Sequence, residues 1–277
     1  MSFIVVTDSA ADLRSIKENV KFASVPLTIR AGEKEFVDNN DLDVQEMVGY
    51  LAGYKGKSST ACPSVSAWID AFDNSDEVFC FTITSGLSGS YNSAKAAKDE
   101  YESENAGRKV YIVDSLSTGP EMKLLIEKVI ELHLAGETFE SICENIEEYK
   151  KTTALLFSLE SLNNLANNGR VSPVVAKFAG ILGMRIVGRA SDVGQLETLD
   201  KCRGEKKTIV KLFNRLKEFG YSGGKIRIDH CNNEVAAMSF RELVVGEYGE
   251  VDIQIGSTTG LCSFYAEQGG LLIGFEK

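Results

Sequence analysis

The sequence is poor in the residues that most often hold metals or transfer protons. Its 277 residues include two histidines and six cysteines, and no two cysteines are spaced as a C-x-x-C pair. Zinc sites and disulfide frameworks need recognisable spacings of these residue types. We therefore expect no metal and no cofactor, and we expect the cysteines to be free thiols in a reducing compartment.

Positive charge and long apolar runs are also scarce. Lysine and arginine total 30 against 40 acidic residues, so the net charge is −10. This balance excludes a nucleic-acid backbone as the partner, because phosphate binding needs clustered basic side chains. No apolar run reaches the ~20 residues that a transmembrane helix needs. The first eight residues lack a basic segment and predict a strand rather than a signal peptide, so we expect a cytoplasmic protein.

The most informative stretch present is a strand, a hydroxyl-rich loop and a helix in succession. The apolar run from Val78 to Ile83 predicts a buried strand. The loop from Thr84 to Ser90 contains four hydroxyls and two glycines, and an alanine-rich helix follows it. Free N–H groups at the start of a helix favour an anion, and neutral hydroxyls suit a carboxylate or a phosphate. An ordinary strand-to-helix connection also explains the same residues.

Two further segments point to a polar site. Residues Ser58 to Ser64 predict a second hydroxyl-rich loop, with Ser64 as the N-cap of the next helix. Farther along, Asn167-Asn168-Gly169 predicts the end of a helix and leaves Arg170 on an exposed turn. Arg170 could reach a ligand, or it could simply interact with the last carbonyls of that helix.

Hydrophobic periodicity predicts an α/β fold of two parts. In the first part, strands at 3–7, 78–83 and 109–113 alternate with helical patterns, which indicates a parallel sheet covered by helices on both faces. The second part has six predicted strands, and its Val193-Gly194 turn predicts a hairpin, so its sheet is expected to be mixed. We place the boundary after a charged helix, which gives domains 1–152 and 153–277.

The ends of the predicted strands indicate where a ligand binds. Ligands of open α/β sheets lie outside the carboxyl ends of the strands. Asp8-Ser9, Ser85 to Ser90 and Asp114-Ser115 each follow a predicted strand and are expected to line one crevice. Asp8 and Asp114 also fit a structural role as helix N-caps or loop residues.

Taken together, a set of short motifs resembles the DegV family. The resemblance runs from residue 3 to about residue 210 and is weaker beyond. Members of that family bind a long-chain fatty acid between two α/β domains, and in many bacteria they are the lipid-presenting subunit of a fatty-acid kinase. The motifs that carry the resemblance are Asp8-Ser9-Ala10-Ala11-Asp12-Leu13, Val25-Pro26-Leu27, Asp38, Thr60 to Ser64, Leu87-Ser88-Gly89-Ser90-Tyr91, Asp114-Ser115 and Gly169-Arg170-Val171-Ser172.

The resemblance implies a function and a set of site residues. It implies a non-catalytic carrier that holds a long-chain fatty acid in an interdomain tunnel and presents it to a kinase catalytic subunit. Hydroxyls would hold the carboxylate, above all those of Thr60 and Ser88. The implied lipid-binding residues are Thr60, Ser64, Ser88, Gly89 and Ser90, and the implied contacts for the head group or the partner are Arg170 and Thr258.

One position departs from the family pattern. Relatives commonly carry a histidine where this sequence has Thr258, within a glycine-bounded segment. That histidine belongs to the face where head group and kinase meet. The departure therefore puts phosphotransfer in doubt more than lipid binding.

Two other functions remain open at this stage. The loop could bind a phosphate or a sugar phosphate, although the sequence lacks a P-loop lysine and a G-x-G-x-x-G motif. A serine hydrolase is the other alternative, since Gly86 to Ser90 approaches the G-x-S-x-G motif with Ser88 as nucleophile and Ser90 in place of the last glycine. Its base would have to be His133 or His230.

Overall fold

The computed structural model describes residues 1–172 and 183–277 of the chain. The strands are β1 Phe3–Asp8, β2 Lys21–Val25, β3 Thr28–Ala31, β4 Lys34–Val37, β5 Ser58–Ala61, β6 Glu77–Thr82, β7 Lys109–Asp114, β8 Thr153–Leu159, β9 Met184–Ala190, β10 Leu196–Arg203, β11 Ile226–His230, β12 Ile253–Ser257 and β13 Leu271–Glu276. The helices of the described residues are α1 Val44–Gly53, α2 Val65–Ala71, α3 Ser90–Glu104, α4 Pro120–Leu134, α5 Phe139–Lys150, α6 Asn163–Asn167, α7 Glu205–Glu218, α8 Glu234–Tyr248 and α9 Gly260–Ala266.

The first sheet is parallel and forms the middle of three layers. Its strand order is β2-β1-β6-β7, and all of its pairings are parallel. Helices α2 and α3 cover one face, where Trp68 and Phe72 are buried. Helices α4 and α5 cover the other face. Every residue of β1 is buried, as expected for a parallel strand with helices on both sides. The predicted three-layer α/β/α arrangement is confirmed.

The second sheet is mixed, as the sequence predicts. Its order is β10-β9-β8-β13-β11-β12. Strands β11 and β12 are parallel, whereas the other neighbours are antiparallel. The hairpin of β9 and β10 is confirmed, and Gly194 in its turn has a φ of +70°, which glycine adopts without strain. Helices α7 and α8 cover one face, and the opposite face turns towards the first sheet.

A small third sheet was not predicted. It has the order β4-β3-β5 and is antiparallel. The prediction that residues 58–64 form only a loop is therefore wrong for residues 58–61, which are β5. These strands have four residues each, and β4 is largely exposed and charged, so no alternating pattern marked them. Strand β4 pairs with β3 across a short turn, whereas β5 pairs with β3 from the far side of α1, so tertiary contacts decide the conformation of β5.

Helix α4 contacts both larger sheets. Met122 and Leu125 are buried against the first sheet. At its start, the same helix lies directly on β13 of the second sheet, where a Cβ added to Gly274 would come within 2.4 Å of the Glu121 backbone nitrogen. The chain passes from one sheet to the other between α5 and β8. The division into domains 1–152 and 153–277 stays a prediction.

A buried charged cluster also joins the two halves of the chain. Lys123 Nζ lies 2.6 Å from Asp229 Oδ1. Asp12 Oδ1 accepts hydrogen bonds from the backbone N–H of Thr259 at 2.6 Å and from its hydroxyl at 2.9 Å. Within the described residues, the Oδ2 atoms of Asp12 and Asp229 have no hydrogen-bond partner. Both face Gly119, where an added Cβ would lie 3.2 Å from one and 3.9 Å from the other.

Candidate functional site

A cavity lies between the two larger sheets. It encloses about 810 Å³, counting the part that opens to solvent. Most of its wall is apolar and comes from both halves of the chain. The apolar side chains that line it are Leu27, Ile83, Leu87, Leu116, Leu155, Phe157, Leu159, Leu165, Ala190, Leu196, Leu261, Ala266 and Leu272.

Four polar residues of the wall lie close together. The hydroxyls of Thr60 and Tyr265 are 2.8 Å apart and share a hydrogen bond. Arg170 Nε donates to the carbonyl of Leu87 at 3.1 Å, which is next to Ser88 in the chain. Gly89, which follows Ser88, lies against Cys62, which follows β5, since a Cβ at Gly89 would be 3.4 Å from Cys62 Sγ. The cavity therefore has a polar region here, although most of its wall is apolar.

Arg170 gives this polar region a positive charge. Among the described residues that line the cavity, it is the only one with a charged side chain, and a guanidinium stays protonated at every working pH. Burial raises the pKa of Tyr265, although the hydrogen bond from Thr60 and the charge of Arg170 oppose this rise. Tyr265 is therefore a neutral hydroxyl facing a cation, and the region suits a small anionic group.

The structure brings three of the predicted site residues to the cavity wall. These are Thr60, Ser88 and Arg170. The other four are not among the described residues that line it. Ser64 Oγ accepts from the Ala67 N–H at 3.2 Å and caps α2, as its sequence position predicts. Thr258 is buried and its hydroxyl lies 2.7 Å from Ser263 Oγ.

Gly89 and Ser90, which follow Ser88, are not among the described residues that line the cavity. Gly89 lies against Cys62, whose Sγ would be 3.4 Å from a Cβ at that position. Ser90 is fully buried and donates through Oγ to Asp8 Oδ2 at 2.6 Å. Whether Ser64, Gly89, Ser90 and Thr258 contact a ligand stays a prediction.

The two strand-end aspartates have structural partners. Asp8 is buried, accepts from the Ala10 N–H at 3.2 Å and caps a short 3-10 turn. Asp114 Oδ1 accepts from the Ser85 N–H at 3.0 Å and the Leu116 N–H at 3.2 Å. Neither aspartate lines the cavity. The structural interpretation of both aspartates therefore holds, and the prediction that they line the crevice is wrong. Both instead hydrogen-bond to residues of the segment 85–90.

Sequence reasoning missed several wall residues. Tyr265 lies in α9, more than 200 positions from its partner Thr60, and nothing in its neighbourhood marks it as a site residue. Thr84, Thr118 and Gln195 also line the cavity. Thr84 Oγ1 donates to the Gly194 carbonyl at 2.9 Å, so the hydroxyl-rich loop contacts the β9–β10 turn. Only the Thr84 to Ser90 composition gave a signal for this part of the wall.

The histidines do not assemble a hydrolase site. His133 stacks on Phe3 with 3.6 Å between ring centroids. His230 Nδ1 accepts from the Asn233 N–H at 3.3 Å. Within the described part of the chain, neither histidine is hydrogen-bonded to Ser88. The Ser88 hydroxyl therefore has no general base beside it, which a serine nucleophile needs.

With the geometry known, comparison with other proteins identifies the family. The sequence matches the family model described as an uncharacterised protein of the DegV family over residues 2–277. The chain belongs to the DegV family. A DegV domain-containing protein of Streptococcus pneumoniae is 40% identical over 279 residues, which span 100% of this chain and 99% of that protein.

Solved DegV structures share the whole architecture. A DegV family protein from Eubacterium eligens, loaded with heptadecanoic acid, is 44% identical with a TM-score of 0.98, and the match covers 100% of both chains. The Streptococcus pneumoniae Fatty Acid Kinase (Fak) B3 protein, loaded with linoleic acid, is 40% identical with a TM-score of 0.98. The match covers 100% of this chain and 99% of that protein.

Two kinds of feature are absent from the described residues. No helix of residues 1–172 and 183–277 is long and apolar enough to cross a membrane. In the same residues, no group of three or more histidine, cysteine, aspartate or glutamate side chains could hold a metal ion.

Proposed function

We propose that this DegV protein binds a long-chain fatty acid in the cavity between its sheets. The observation that carries the proposal is a largely apolar wall with one cation, Arg170, among the described lining residues, on the same wall as the hydroxyls of Thr60 and Ser88. Burial of the acyl chain supplies affinity at ~0.8 kcal/mol per CH₂. Two relatives of near-identical fold hold heptadecanoic and linoleic acid. A phosphate or sugar phosphate would leave most of this wall without a complementary surface.

The carboxylate is proposed to bind between Thr60, Ser88 and Arg170. The Thr60 hydroxyl can accept from Tyr265 while it donates to the carboxylate. Ser88 Oγ already accepts from the Ser90 N–H at 3.2 Å, so its own proton is free to donate elsewhere. Arg170 supplies positive charge, and hydrogen bonds to a charged group contribute about 1.5–3 kcal/mol each.

The protein is proposed to act as a carrier rather than as an enzyme. The Ser88 hydroxyl has no histidine base for hydrolysis, and the sequence has neither a P-loop lysine nor a G-x-G-x-x-G motif, so a separate kinase would have to phosphorylate the bound acid. We propose a fatty-acid kinase catalytic subunit as that partner, on the basis of the similar Fatty Acid Kinase (Fak) B3 protein. The proposal places the carrier in the cytoplasm, where its six free cysteines stay reduced.

The purified protein should carry a fatty acid of about sixteen to eighteen carbons, which is long enough to stay bound through purification. Native mass spectrometry, followed by organic extraction, will identify it. Extraction of only a phosphate, a sugar or a nucleotide would refute the proposal.

In a calorimetric titration with that fatty acid, Thr60→Val should weaken binding by about 1.5–3 kcal/mol. Unchanged affinity would remove Thr60 from the site. Ser59→Ala is the matched control, because Ser59 is the exposed neighbour on β5.

Arg170→Ala separates lipid binding from presentation. Because chain burial provides most of the affinity, this variant should retain its lipid nearly completely. It should form less acyl phosphate than the wild type when mixed with ATP and a kinase catalytic subunit. Equal acyl-phosphate yields from both proteins would remove Arg170 from the presenting surface. If the wild type forms no acyl phosphate, either Thr258 in place of the family histidine prevents phosphotransfer, or the protein does not serve a fatty-acid kinase.

A further inference from the structure

Asp8 is a buried carboxylate that the proposed site does not touch. It is fully buried, and its two oxygens accept three hydrogen bonds. Oδ1 accepts from the Ala10 N–H at 3.2 Å. Oδ2 accepts from the Ile83 N–H at 2.9 Å and from Ser90 Oγ at 2.6 Å. A carboxylate is costly to bury unless hydrogen bonds or an ion pair compensate for the lost hydration.

The Oδ2 atom of Asp8 holds both ends of one loop. Ile83 precedes the loop of residues 84–89 and Ser90 follows it, and both donate to the same oxygen. Within this loop, Leu87 and Ser88 line the cavity. The Leu87 carbonyl also accepts from Arg170 Nε. By holding the two ends of the loop, Asp8 therefore fixes the position of Ser88 in the cavity wall. It also fixes the Leu87 carbonyl, to which Arg170 donates.

A continuous set of contacts leads from Asp8 to the Ser88 hydroxyl. Asp8 holds the Ser90 side chain, and the backbone N–H of Ser90 donates to Ser88 Oγ at 3.2 Å. Because Ser88 Oγ accepts a hydrogen bond from Ser90, its own O–H is directed away from Ser90. A bound carboxylate would accept a hydrogen bond from that O–H.

We propose that Asp8 is the positioning residue for the head-group contact, acting through Ser90 on Ser88. This inference rests on the proposed fatty-acid function. The carboxylate is required because an amide offers one acceptor oxygen, and its NH₂ group would face the N–H of Ala10 or Ile83. The Ser90 hydroxyl then serves the loop geometry, and Ser90 need not touch the lipid.

The charges around Asp8 are compatible with this role. Burial raises the pKa of Asp8 to about 7, and the negative charge of Asp38 contributes to the rise. The hydrogen bonds from Ser90, Ile83 and Ala10 lower this pKa and so oppose the rise. Asp38 is itself ion-paired with Arg14. The neighbouring Cys80 thiol is buried and its pKa is well above its usual value, so it stays neutral.

The test uses the full chain loaded with hexadecanoic acid that is ¹³C-labelled at its carboxyl carbon. Ser90→Ala removes one bond to Asp8 without adding bulk, and it should weaken binding about tenfold, as Ser88→Ala should. In the Ser88→Ala background, Ser90→Ala should add nothing, because it acts through the missing hydroxyl. The ¹³C signal of the bound carboxylate should shift in Ser90→Ala towards its position in Ser88→Ala.

Controls separate positioning from general damage. Asp229→Asn removes a carboxylate of equal burial that does not touch the 84–89 loop, so it should leave the ¹³C signal in place. In the ligand-free protein, Asp8→Asn should speed hydrogen exchange at the Ile83 and Ser90 amides. An unshifted ¹³C signal in Ser90→Ala, or additive losses in the double variant, would overturn the inference and leave lipid binding intact. No bound ¹³C signal in the wild type would instead refute the proposed function.

Discussion

Replacing Gly274 with alanine is expected to destabilise the fold by about 3 kcal/mol or more. A Cβ at this position would lie 2.4 Å from the Glu121 nitrogen, 2.5 Å from the Pro120 carbonyl carbon and 2.7 Å from the Glu121 Cα. These are backbone atoms, which cannot rotate away as a side chain can. The start of α4 would have to move off β13, and the contact between the two sheets would open.

Chemical unfolding of Gly274→Ala and of Gly246→Ala gives a matched comparison. Gly246 lies in α8, and a Cβ there would meet no atom within 4 Å. Alanine in a helix is favoured over glycine by about 1 kcal/mol, so the control should be equally stable or more stable. A Gly274→Ala protein as stable as the wild type would show that α4 shifts without cost.

Asp12→Asn is expected to stabilise the protein at pH 8 and to change little at pH 4. Burial raises the pKa of Asp12 to about 7, the charge of Asp229 adds to the rise, and Lys123 opposes it. In the unfolded chain this carboxyl loses its proton near 3.8, the usual pKa of an aspartate. The folded state therefore binds more protons than the unfolded state between these two values. Stability is lost as the pH rises from about 4 to about 7.

An asparagine at position 12 removes that loss. Its oxygen can still accept from Thr259, and its NH₂ group takes the place of Oδ2, which has no hydrogen-bond partner within the described residues. The Tm at pH 8 should rise by about 5 °C or more, and the slope of Tm between pH 4 and 7 should become shallower. Asp8 titrates in the same range, so part of the slope will remain. A lower Tm for the variant at pH 8 would contradict this account.

Local signals in the sequence predict the larger elements well. The charged helix predicted before the domain boundary is α5, which begins after a Thr138 cap and buries Ile142 and Ile146 on one side. The β9–β10 hairpin follows from its Gly194 turn. The parallel order of the first sheet follows from alternating strands and helices. The third sheet escaped prediction because its four-residue strands are too short to show a clear alternating pattern, and because β5 pairs with β3 from the far side of α1.

The candidate site was only partly predictable, for a related reason. The composition of residues 84–90 marks a polar loop but does not say which hydroxyls face inward. In the structure Ser88 lines the cavity, whereas the Ser90 hydroxyl donates a hydrogen bond to Asp8. Tyr265 reaches Thr60 only through the packing of α9. Such assignments depend on contacts across the fold, which residue type and spacing do not encode.

The shared helix α4 also limits how a ligand can exchange. Its backbone rests on Gly274 of one sheet while Met122 and Leu125 are buried against the other, so the sheets cannot swing apart as two halves of a hinge without breaking this seam. A fatty acid bound as proposed would then leave through local opening of the cavity wall, for example at the contact of Thr84 with Gly194, rather than through a hinge between the sheets.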